Sequence, residues 1–216
     1  GTFYKVIDIK ACLLHPDLGN RILDDVRSHI LNSNLPVYGL KSHMGFWRFV
    51  MLRNSAAYGH WMVNIITAFE DRTEVQKIAD DLMQKYPQIV SVINNITSKK
   101  AGVAIGEYEM TLAGKNHLID KIDSFKFMIS ANSFFQTNTR GAAVLYQKAK
   151  EYAAQRGNES VLDLYSGTGT TAIFLSDSAG KVVGIEQVES AVIKYRSIIV
   201  IHQQQTFHFI SEQIPE

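Results

Sequence analysis

The chain reads as an α/β protein in two parts: an α+β domain over residues 1–124, then, over residues 125–216, the first half of a doubly wound parallel domain. Two observations carry this. In the first part, short strand-like apolar runs alternate with helical patterns and end in segments punctuated by glycine. In the second, a strand, helix, strand, helix, strand succession surrounds a single glycine-rich turn.

Taken in order, the first part offers a strand at YKVIDI (4–9), a helix near 18–32, and strands at FWRFVMLR (46–53) and WMVNIITAF (61–69). A helix near 73–85 follows, with Thr73 as N-cap, Val75, Ile78, Ala79, Leu82 and Met83 on one face, and Tyr86-Pro87 as its stop. The run IVSVINNI (89–96) and the segments 101–122 and 124–130 complete it as strands with glycine turns. No linker separates the parts, so the boundary near Asp123 is a change of pattern.

From Thr139 the chain turns helical. It then gives a strand at 160–165, a helix at about 169–178, a strand at 181–186, a helix at about 189–200 and a strand at 206–210. Three strands amount to half of a doubly wound sheet.

Composition narrows the classes. With 216 residues, 46% hydrophobic and 20% charged, the chain is globular, and the cytoplasm is the expected home. No apolar run reaches the ~20 residues that span a bilayer. Net charge is +1, so any polyanion must be met by a local basic patch or by stacking. The single cysteine, Cys12, rules out an internal disulfide, and the seven histidines lack ligand-type spacing, so no metal is expected.

The turn in VLDLYSGTGTTAIFLSDSAGKVVGIE carries the chemistry. Gly167, Gly169 and Ala172 fit G-x-G-x-x-G/A, which permits a tight turn and close backbone approach to an adenosyl ligand. Glu186 ends the next strand, where a carboxylate accepts hydrogen bonds from both hydroxyls of a ribose. NAD and S-adenosylmethionine each carry one. Asp163, at the end of the first strand, would repel a pyrophosphate and tolerate a methionine amino group, so the residues favour S-adenosylmethionine. The bland alternative, tight strand-to-helix packing, remains open at this level.

Motif order then points further. SFFQTN (133–138), the helix carrying Leu145-Tyr146, VLDLYSGTGTTAIFLS and VVGIEQVESAVIKY together resemble the RumA/TrmA family of RNA uracil-C5 methyltransferases. Upstream, WRFVMLRNS, HWMVNIITAFED, SVINNIT and LAGKNHLIDKI resemble that family's central domain, so the likeness covers nearly the whole chain. It implies that residues 125–216 begin a Rossmann-like S-adenosylmethionine-dependent methyltransferase domain. It assigns cofactor contacts to Gln136, Tyr165 and Thr170 alongside Asp163, Gly167, Gly169 and Glu186. A glutamine suits such a role because its amide donates and accepts at once. Ser166 stands where the family has a cysteine, and Ser211-Glu212 where it has a Gly-Asp pair.

The resemblance also implies uracil-C5 methylation of ribosomal or transfer RNA, with RNA as partner and neither membrane nor DNA, and a monomer is expected. Uracil C5 is a weak nucleophile until a thiolate adds at C6, after which a base removes the C5 proton. In the family this cysteine and base follow the segment present here, and a small β-barrel precedes it. The chain therefore reads as a fragment with no catalytic residue of its own and little or no methyl transfer. Cys12 resembles the last cysteine of an iron–sulfur ligand set whose partners would lie upstream.

For RNA contact, Arg48 and Arg53 are the leading candidates, with Lys41 and the Lys99-Lys100 pair, while Phe46, Trp47 and Trp61 read as core. Alternation puts Phe46, Arg48, Val50 and Leu52 on one face and Trp47, Phe49, Met51 and Arg53 on the other. Two other readings stay open: a non-catalytic RNA-binding module, and a methyltransferase acting on another RNA atom.

Overall fold

The computed structural model describes residues 7–100, 102–167, 169–186 and 207–210. The chain divides into two compact units, Gly1–Ser55 with Gly59–Leu118, and Ala56–Tyr58 with Ile119–Glu216. The division falls a few residues before the change of pattern at Asp123.

In the first unit, helix α1 (Asp17–Asn32) leads to strands β1 (Trp47–Asn54) and β2 (Trp61–Thr67), helix α2 (Arg72–Lys85), and strands β3 (Ile89–Ile96) and β4 (Tyr108–Gly114). The sheet runs β1-β2-β3-β4, with β2 and β3 parallel and both outer pairs antiparallel. A parallel pair needs a crossover, and α2 supplies it. Ile22 and Val26 of α1, and Val75, Ile78, Ala79 and Leu82 of α2, pack with Trp61, Val63, Ile65 and Val92 into one core. Met83 is partly buried at its margin. Every residue of β2 is buried.

Three expectations need correction here. Residues 7–9 join no described ladder: Ile9 N–H bonds back to Ile7 O, and both isoleucines are exposed, so no burial rewards the alternation. The rest of the 4–9 run lies outside the described residues. Helix α2 is capped by Asp71, whose carboxylate accepts from Glu74 N–H at 3.2 Å, so Thr73 sits inside the first turn. The cap therefore lies two residues earlier, on a charged side chain that suits the helix's positive end. In β1 the register shifts between Trp47 and Phe49, and this irregularity breaks the expected alternation, so that Phe46 and Trp47 both enter the core.

In the second unit, β5 (Leu118–Ile122) and β6 (Phe125–Ile129) form a two-stranded sheet whose two-residue turn places Asp123 at φ 53°. Helix α3 (Thr139–Ala153) begins on Asn138, whose side chain accepts from Gly141 N–H. Then come β7 (Ser160–Leu164), α4 (Thr170–Leu175), β8 (Lys181–Ile185) and β9 (Phe207–Ile210), with β7, β8 and β9 parallel in that order. The helix expected to reach 178 ends at Leu175 and tightens into a 3-10 turn, Ser176–Ser178, where Ser176 Oγ donates to Ile173 O. The helix expected near 189–200 and the Ser211-Glu212 pair lie outside the described residues. Phe174 of α4 anchors this unit, its ring 5.5 Å from those of Phe125 and Tyr146. Among the described residues, no helix is long and apolar enough to cross a membrane.

Candidate functional site

The turn after β7 is built from unusual backbone. Tyr165 and Gly167 have φ of 56° and Gly169 has φ of 71°. For the glycines this region is ordinary, but for Tyr165 it is a strained conformation of the kind that clusters at ligand sites. The turn is held from beneath by Ser166, whose N–H and Oγ both donate to Ile185 O, and is closed by Gly169 N–H bonding to Ser166 O at 2.7 Å. Gly169 is then the N-cap of α4 and brings no capping side chain.

Two carboxylates complete the turn. Glu186, just beyond β8 and buried, accepts the Gly167 N–H at 2.7 Å through Oε2. Asp163, from β7, accepts the Ala172 N–H at 3.2 Å and so caps α4 from the neighbouring strand. Burial pushes the Asp163 carboxyl above its ordinary value, and the Ala172 amide pulls the other way. Thr170 is buried at the first position of the helix, and the Tyr165 ring is 86% exposed.

Gln136 reaches the same neighbourhood through Tyr146. The Tyr146 phenol is hydrogen-bonded to Gln136 and to Thr171 and feels the charge of Asp163. Burial pushes that phenol upward, partly opposed by the two hydrogen bonds. Tyr146 and Thr171 thus tie the glutamine to the start of α4. Sequence reading passed over this link, although a tyrosine on the apolar side of α3 with a hydroxyl to satisfy is a usable signal. Among the described residues, a side chain at Gly167 would meet nothing within 4 Å.

The arginines sit in the first unit. The Arg48 guanidinium lies 4.2 Å from the centre of the Tyr38 ring and donates to Thr97 O at 2.8 Å and Lys99 O at 2.7 Å. Arg53 is partly buried, and desolvation lowers its proton affinity while Glu109 opposes that shift. Cys12 precedes α1 and has both its backbone N–H and its carbonyl held by the Asn20 side chain. Among the described residues, no three His, Cys, Asp or Glu side chains converge as a metal site.

This strand, glycine turn, helix and acid-terminated second strand can be compared with known proteins. An RNA methyltransferase of Chlorobaculum tepidum, described as uncharacterized, is 38% identical over 193 residues, covering 89% of this chain and 40% of the relative. Another from Caldanaerobacter subterraneus is 32% identical over 220 residues, covering 99% of this chain and 48% of the relative. The chain's relatives are RNA methyltransferases. It spans about half or less of the length of these curated relatives. No protein-family model matches. Among solved structures, a tRNA (uracil-54, C5)-methyltransferase of Pyrococcus abyssi, in complex with S-adenosyl-L-homocysteine, aligns with a TM-score of 0.79 at 26% identity. That alignment covers 98% of this chain and 51% of the other. The fold is that of the Rossmann-like S-adenosylmethionine-dependent methyltransferases.

Proposed function

We propose that these residues belong to an S-adenosylmethionine-dependent RNA methyltransferase acting on C5 of uridine in ribosomal or transfer RNA, and that the second unit holds the first half of its cofactor site. The observation that carries the reading is the clasp between Glu186 and Gly167 at 2.7 Å. A carboxylate has about four acceptor positions, so Glu186 keeps the turn in place and still accepts the two ribose hydroxyls of a bound nucleoside. No described residue would meet a side chain at Gly167, and the amides of Gly167 and Gly169 are held by Glu186 and Ser166 before a ligand arrives.

In this reading Asp163, half-buried and bonded to the start of α4, gains from a cationic amino group that offsets its desolvation. Gln136, oriented by Tyr146, offers both a donor and an acceptor to the same end of the ligand. Tyr165 projects from the strained turn beside it, and Gly169 and Thr170 open the helix. The cofactor supplies an electrophilic methyl group. C5 chemistry further requires a thiol that adds to C6 and a base that takes the C5 proton.

The test uses the longer protein and RNA carrying tritium at uridine C5. Methylation at C5 must expel that hydrogen, so tritium appears in solvent in proportion to methyl groups transferred. Methyl transfer without tritium release would assign the reaction to another atom and overturn the C5 reading.

A further inference from the structure

Three loops of the first unit meet where β2 and β3 end. Residues 36–46 are fixed there by Tyr38 N–H to Trp47 O and Phe46 N–H to Pro36 O, and residues 67–71 by Ala68 N–H to Phe46 O. The loop after β3 is joined by Thr97 N–H to Thr67 O and Glu107 N–H to Ile96 O. Arg48 locks two of the loops together, stacked on Tyr38 and bonded to the carbonyls of Thr97 and Lys99.

Two aromatic rings are left half exposed and yet are held from behind. Phe69 is 51% exposed, and its ring sits 4.9 Å from the fully buried Phe46. Tyr108 is 48% exposed, and its hydroxyl donates to Glu70, the neighbour of Phe69, at 2.9 Å. Exposed rings of fixed orientation are stacking platforms that lose little entropy when covered. The loop of residues 36–46 and the loop after β3 carry the exposed Lys41, Lys99 and Lys100. The carboxylates of these loops keep their charge but are held by hydrogen bonds: Glu70 by the Tyr108 hydroxyl, Asp71 by Glu74 N–H, and Glu107 by Ser98 N–H at 2.5 Å and its hydroxyl at 2.9 Å. Lys41 and Lys100 form no ion pair among the described residues.

We propose that this end of the sheet is a docking surface for single-stranded RNA, with Phe69 and Tyr108 stacking on unpaired bases and Lys41, Lys99 and Lys100 meeting phosphates. It rests on the reading of the longer protein as an RNA methyltransferase. Rings with cations fit a polyanion with flat, splayed bases, which is the form in which RNA is read outside a duplex. Arg48 acts here as a positioning residue.

The test measures binding of a labelled single-stranded RNA oligonucleotide to this chain by fluorescence anisotropy across a salt series, with S-adenosyl-L-homocysteine binding read in parallel. Lys99→Glu with Lys100→Glu should weaken RNA binding about tenfold or more and flatten the salt dependence, since each phosphate contact contributes about 0.7 to the slope for a single strand. Phe69→Ala should weaken binding about tenfold with the salt slope unchanged, because a lost stack involves no counterion. Arg48→Lys, which keeps the charge and loses the two-carbonyl grip, should weaken RNA binding several-fold with cofactor binding unaltered. Lys181→Glu in the second unit should change little. No binding by the parent chain, or equal losses for every lysine variant, would overturn the surface. If RNA docks as described but the homocysteine ligand does not bind, the cofactor reading fails while the surface stands.

Discussion

Among the described residues, two strand–turn–helix–strand units have parallel strands, β2-α2-β3 and β7-α4-β8, and they are built to opposite ends. In the first, the strand is buried along its whole length and the helix is capped locally by Asp71. In the second, Leu162 and Leu164 of β7 are 58% and 57% exposed, and the helix starts on a bare glycine. Its cap is borrowed from Asp163 at a cost in desolvation, and the turn holds Tyr165 in a left-handed conformation. One unit places its residues for stability. The other places donors, acceptors and strain where a ligand would sit, and a ligand is what offsets those costs.

The largest effect separates the two strands. Ile65→Ala, in the fully buried β2, should cost about 2–5 kcal/mol in urea unfolding followed by tryptophan fluorescence, since Trp47 and Trp61 both report on that core. Leu162→Ala in β7 should stay within about 0.5 kcal/mol. Equal costs would erase the contrast.

A smaller effect compares the caps. Asp71→Ala should lose about 1 kcal/mol, read in the same unfolding experiment. The matching change in the second unit should run the other way. Burial holds the Asp163 carboxyl above its ordinary 3.8, so the folded state binds that proton more tightly than the unfolded chain does. Stability attributable to Asp163 therefore falls as pH rises through that window, and the penalty is complete above the raised value. Asp163→Asn, which can still accept from Ala172 N–H, should be the more stable protein at neutral pH, with the gain vanishing on acidification below the ordinary value. A variant less stable than the parent at neutral pH would show that the charge of Asp163 supports the fold.

The same contrast explains what the sequence discloses. Strand β3 falls on Ile89–Ile96 as its apolar run predicts, and α2 buries Val75, Ile78, Ala79 and Leu82 as their spacing predicts, because burial is periodic and periodicity is visible. Thr73 is not the cap because Asp71, an equally good capping residue, stands two positions earlier. In β1 the alternation holds from Phe49 onward, with Val50 and Leu52 on the core side, and only Trp47 changes sides, because a register shift leaves no mark on a pattern of alternation. Around the glycine turn, residue types alone brought Asp163, Gly167, Gly169 and Glu186 together, since strand ends and turn glycines have fixed places in a parallel unit. The strain at Tyr165 and the Tyr146 link to Gln136 depend on tertiary contacts between elements far apart in sequence, which spacing does not encode.

The most direct test of the central claim is calorimetric titration of this chain with S-adenosyl-L-homocysteine, alongside Glu186→Gln and Glu186→Ala. Glutamine can keep the bond to Gly167 N–H but lacks the charge, whereas alanine loses both. The account predicts saturable binding to the parent, weaker binding to the glutamine variant, and a loss of about tenfold or more with alanine, the range for hydrogen bonds to a charged group. Binding to both variants as tight as to the parent would contradict it and return the turn to the role of strand-to-helix packing.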